Sequence, residues 1–186
     1  MVARDDGLNM LHLILAISLI ILAVISRLFP HPANFTPLAA VALFCGVYLP
    51  RKWGWILPMV IMIATDAIIG FYQWQVMASV YLSFLTAVGI GWYIRRGKSI
   101  GSVVVGSLAA SILFFFVTNA AVWAWGGLYP PTAAGFLTSY LMGIPFFKNT
   151  LLGDLFYTVF LFGSFEALGF LVGRETRSVR VRAERQ

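Results

Sequence analysis

Apolar residues run through this chain in blocks of mostly near 20, and short polar, basic or proline-bearing segments divide them. The ~30 Å hydrocarbon core of a bilayer takes about 20 helical residues. The pattern therefore predicts six helices, over residues 10–28, 38–49, 54–71, 76–94, 100–125 and 150–172. The second is short and rich in small residues, Ala39, Ala40, Ala42 and Gly46, which let helix backbones approach closely. Before it, Pro30, Pro32 and Pro37 break the chain, since proline removes a donor and restricts its predecessor. The longest connector, 126–149, opens on Gly126-Gly127 and Pro130-Pro131. Within it, residues 132–147 are apolar but too short to span, which predicts an interfacial or re-entrant helix ahead of the sixth span. No internal repeat or low-complexity segment stands out.

Composition agrees. Of 186 residues, 60% are hydrophobic and 11% charged, against roughly 25% charged in a soluble domain. Unbroken runs exclude the dyad alternation of a transmembrane barrel. The expected fold is an all-α membrane bundle over residues 1–173, followed by a basic tail over 174–186. The first run is long for a signal core and lacks a small-x-small cleavage site, so it reads as a retained helix. Cys45 is the single cysteine and makes no internal disulfide.

The net charge of +6 concerns orientation, not nucleic acid. With six spans, one side holds Arg4, Arg51, Lys52, Arg95, Arg96, Lys98, Arg174, Arg177, Arg180, Arg182 and Arg185. The other holds only Arg27 and Lys148. Eleven against two predicts that both termini are cytoplasmic.

That topology gives the few polar residues inside spans a depth. Asp66, Asn119 and Asp154 each fall about four to six residues from the outer end of a span, roughly 6 to 9 Å deep. Intramembrane carboxylates usually face a cavity, a partner or a pathway. Connectors on the same side add His31, Asn34, Tyr72, Gln73, Trp74, Gln75, Trp125, Tyr129, Lys148 and Asn149. From these, Asp66, Asn119, Lys148, Asn149 and Asp154 are the expected polar ligand contacts, with His31, Gln73, Trp74 and Tyr129 as lid or stacking surfaces. Plainer readings stand beside these. Asp66 pairs with Arg27 or Lys148, Asp154 favours its own helix dipole, Asn119 makes an interhelical hydrogen bond, and the aromatic residues form an interfacial belt. Glu166 lies in the cytoplasmic half, to bond Arg174 or to meet a partner protein.

No catalytic signature is present. There is no phosphate loop, His-Glu-x-x-His or Gly-x-Ser-x-Gly, and the two histidines and one cysteine lack metal-ligand spacing. The expectation is a non-enzyme without cofactor or metal.

Two runs, 31–40 (HPANFTPLAA) and 144–154 (IPFFKNTLLGD), resemble a family of small, largely uncharacterised bacterial membrane proteins. These in turn are similar to the substrate-binding S components of energy-coupling-factor transporters. The resemblance extends over residues 29–163. It implies six helices with cytoplasmic termini in the bacterial inner membrane, and a vitamin or micronutrient bound near the outer face. It also implies a transmembrane scaffold and ATPase subunits as partners. The alternative is a non-catalytic accessory subunit of a larger membrane complex.

Overall fold

A computed structural model of the chain describes the backbone of residues 3–183 and the side chains of Met10 and residues 12–171. The charged side chains of the N-terminal nine residues and of the tail from Arg174 lie outside the described set. Among the described residues there is no strand. Six α-helices follow one another: α1 Ala3–Arg27, α2 Leu38–Tyr48, α3 Arg51–Ile69, α4 Trp74–Ile94, α5 Ile100–Trp125 and α6 Ala133–Ala183. A short 3-10 turn, Arg95–Gly97, follows α4. Helices α3 to α6 are long and apolar enough to cross a membrane, while α2 and the apolar part of α1, His12–Arg27, are shorter.

The short α2 is the centre of the bundle. Every residue from Leu38 to Val47 is buried, and Ala42, Leu43, Phe44 and Cys45 have no exposed surface. Two glycines explain how α4 comes so close. A Cβ on Gly46 would lie 2.3 Å from the Val88 carbonyl oxygen, and one on Gly91 would lie 2.3 Å from that of Leu43. Lipid tails are as apolar as leucine, so such close backbone packing takes the place of hydrophobic drive between membrane helices. Aromatic side chains complete the core on the α6 side, where Phe44 packs edge-on against Phe162 and Phe165.

The α6 helix corrects one expectation. Residues 132–147 do not form a separate interfacial or re-entrant helix; from Ala133 they are the start of one 51-residue helix that carries Pro145 inside it. An aromatic seam holds this part against the end of α5. Trp123 meets Phe136, Tyr140 meets Phe115 and Phe116, and Phe147 meets Phe115 with ring centroids 4.6 Å apart. The Tyr140 hydroxyl also donates to the Phe116 carbonyl at 2.8 Å. Proline is tolerated within membrane helices where neighbouring groups compensate. Lys148 and Asn149 are therefore mid-helix residues, not a connector.

The two ends of the bundle differ. At one end Ser99 and Ser102 cap α5 reciprocally. There Arg95 donates to the Leu49 carbonyl at 3.0 Å, Arg51 lies 3.7 Å over the Trp92 ring, and Lys98 pairs with Glu166. Glu166 also accepts from the Tyr48 hydroxyl, so it ties α6 to α2 and to the turn before α5. The connectors after α1, α3 and α5 gather at the opposite end.

Candidate functional site

At that opposite end a cleft of about 340 Å³ opens between the ends of α4, α5 and α6. It exists because α2 is short. At about 16 Å, α2 covers only half the depth of its neighbours. Its first turn stands level with Phe84, ten residues into α4. The space above is partly filled by the proline-rich connector, which descends along α6. A Cβ on Gly153 would lie 3.1 Å from Phe35 Cα, and Asn149 donates to the Ala33 carbonyl at 3.0 Å. The two sequence runs that carry the resemblance are thus docked on each other. Asn34 has a positive φ, in the left-handed region, which asparagine tolerates better than most residues.

Phe114, Phe115, Phe146, Phe147 and Met142 give the cleft apolar walls. Its polar groups are Asn34, Tyr72, Thr118, Asn119, Tyr129, Ser139 and Thr150. Asn119 is held in place, since its amide donates to the Phe115 carbonyl at 2.8 Å and its Oδ1 fills the space that a side chain on Gly143 would need. Partial burial, and then the nearby Asp66 charge, push the Tyr72 phenol up to about 12, so it stays an O–H group near neutrality. Among the described residues no Lys, Arg, His, Asp or Glu lines the cleft.

Beneath it lies a second void of about 30 Å³, lined by Asn34, Thr36, Ala39, Phe84, Phe114, Thr150 and Asp154. Asn34, Phe114 and Thr150 line both voids. Asp154 is 3% exposed and accepts from Ser111 Oγ at 2.6 Å. Ser111 lies eight residues, about two helical turns, deeper on α5 than Asn119. Asp154 is therefore not in the outer layer with Asn119, because α6 begins at Ala133 rather than at residue 150.

Asp66 does lie near the cleft end of the bundle, but it faces neither void. Its Oδ1 pairs with Arg27 at 2.9 Å, and its Oδ2 accepts from the Tyr81 hydroxyl at 2.8 Å. Arg27 also donates to Thr65, so α1, α3 and α4 are tied at one point. The three polar groups that the spans were expected to bring together are thus separated into an ion-pair knot, a cleft wall and a deeper pocket. Of the other expected residues, Tyr129 lines the cleft. His31 contacts the Arg27 and Pro32 carbonyls, Gln73 donates to Gln75, Trp74 is 67% exposed at the rim and Lys148 is exposed. Asn149 serves the connector. Ser139, Thr118 and Thr150 were not legible as lining. Ser139 and Thr150 were hidden by the apparent break in α6, and Thr118 carried no signal beyond its place one residue before Asn119.

Together these features define an all-helical bundle, four of whose helices can cross a membrane, with a neutral, aromatic-walled cleft at one end. The chain belongs to a family of unknown function, DUF6580, whose model matches residues 8–177. No curated protein and no solved structure matches it.

Proposed function

We propose that this protein is the substrate-binding membrane subunit of a micronutrient importer, taking a small ligand in the cleft from the outer side. All six helices would belong to the membrane domain, with both termini cytoplasmic and the basic end of the bundle facing inward. The observation that carries this reading is the cleft itself. Its volume falls at the small end of the range for small-molecule sites, and its walls combine aromatic faces with a few placed hydrogen-bonding groups. The likeness of the runs 31–40 and 144–154 to a family of small bacterial membrane proteins, itself similar to S components, supports it. Release inward would need reorientation or a separate scaffold and ATPase pair, since the chain carries no nucleotide-binding motif.

Retention tests it. The protein purified from cells grown in rich medium is denatured and its small-molecule content read by mass spectrometry. One compound should be recovered in near-stoichiometric amount, and Asn119→Leu, which keeps bulk but removes the amide, should release most of it. Repeated recovery of nothing, or recovery from both Asn119→Leu and Phe115→Ala equal to that from the unaltered protein, would remove the cleft as the site.

A further inference from the structure

Asp154 is a buried acid whose counter-charge is missing. Its Oδ2 takes the Ser111 hydroxyl, and among the described residues no other hydrogen bond or ion pair reaches it. No buried side-chain oxygen in the described chain lacks a partner, so Oδ1 keeps accessible surface, and the void that Asp154 lines is the small lower pocket. Among the described residues no Lys, Arg or His lines either void; the titratable groups that face them besides Asp154 are Tyr72 and Tyr129, in the upper cleft. Of the two cations at this end among the described residues, Arg27 is already committed to Asp66, and Lys148 is exposed and lines neither void. Removing a lone carboxylate from water is costly unless a proton or a cation neutralises it.

The walls indicate what does so. Above Asp154 stand Phe114, Phe115, Phe146 and Phe147. Aromatic rings attract cations, and among the described residues nothing basic lines either void to attract an anion. The lower pocket, at about 30 Å³, has room for an ammonium-sized group. Phe115 lies four residues, one helical turn, above Ser111 on α5, which matches a ring and a charge joined by a short spacer. We propose that the cleft's ligand is a small organic cation, its planar part among the phenylalanines and its ammonium-type group passing Asn34 and Thr150 to rest on Asp154. This assignment rests on the cleft being a ligand site, and it adds the charge and shape of the ligand.

Three matched probes test it on the purified protein: 2-phenylethylammonium, 2-phenylethanol and 3-phenylpropionate, read by calorimetry and thermal midpoint in potassium buffer. The ammonium compound should bind at millimolar concentration or below, at least roughly tenfold more tightly than the alcohol, and the carboxylate should not bind. Asp154→Asn keeps the shape and can still accept from Ser111; it should erase the preference for the ammonium compound while the alcohol binds as before. Should that variant fail to fold, Phe115→Leu provides a second reading, by weakening the ammonium compound more than the alcohol. Equal binding of ammonium and alcohol, a preference for the carboxylate, or no ammonium binding at millimolar concentration would overturn the assignment. So would stabilisation by sodium ions that Asp154→Asn abolishes, with no discrimination among the organic probes. A neutral or anionic compound retained by the purified protein through Asn119 would sink the charge assignment and leave the binding reading standing. No retained compound together with no probe binding would sink both.

Discussion

At the scale of single residues, the Arg27–Asp66 pair and Asp154 show how differently two buried acids can be handled. Asp66 is 2% exposed but has a guanidinium and a phenol on its two oxygens. Breaking such a pair from one side leaves an uncompensated charge, which typically costs about 3–5 kcal/mol, whereas replacing both partners by apolar groups is often neutral. Arg27→Met should therefore lower stability by about that amount in a detergent-unfolding titration. The double variant Arg27→Met/Asp66→Leu should recover most of the loss, less the hydrogen bond to Tyr81. Both should retain ligand if they fold, because neither residue lines the cleft. A double variant no better than the single would mean that the pair is not the reason Asp66 is tolerated. The sequence made both acids visible, since charges in apolar runs are few. It offered Arg27 or Lys148 as the partner of Asp66, and the partner is Arg27, reaching from the end of α1 across to α3; it did not reveal the Ser111 partner of Asp154, a contact between distant segments.

At the scale of elements, most helix positions follow directly from the hydrophobic pattern. The fifth helix matches its expected range, 100–125, and the second differs by one residue at its end. The small residues of α2 were read as a sign of close approach, and Gly46 against α4 bears this out. This contact makes a sharp prediction. Gly46→Ala and Gly91→Ala place a methyl group against backbone that cannot move aside, and each should cost about 1–3 kcal/mol or more. Gly89→Ala, two residues from Gly91, meets only the Trp55 ring edge, at 3.8 Å. It should be neutral or slightly stabilising. Thermal midpoints of the three in one detergent decide the matter; a Gly91→Ala protein as stable as Gly89→Ala would mean the α2–α4 crossing is looser than these contacts imply. The break expected at Lys148 and Asn149 did not materialise; two polar residues between apolar runs resemble a helix boundary locally. What overrides it is the aromatic seam with α5, a contact between segments that no local pattern displays. That one misreading also displaced Asp154 in depth and hid Ser139 from the site.

At the scale of the whole molecule, the cleft's meaning depends on which way the bundle faces. Its two ends are chemically unlike. One has Arg51 and Lys52 at the start of α3 and Arg95, Arg96 and Lys98 in the turn before α5, while the cleft end has Arg27, neutralised by Asp66, and the exposed Lys148. On the proposed orientation, the positive-inside tendency would turn the cleft outward. Cys45 has no exposed surface, so single cysteines can be added to the otherwise native chain and should be the only ones to react. Trp74→Cys, at the cleft end, should react with a membrane-impermeant maleimide on intact spheroplasts, whereas Lys52→Cys should react only after lysis. The opposite pattern would turn the cleft toward the cytoplasm. A binder of external nutrients cannot work in that orientation, although the neutral walls and the acid beneath them would still suit a cationic ligand arriving from inside. The labelling experiment therefore bears on which side of the membrane the cleft faces, and the matched probes bear on what it binds.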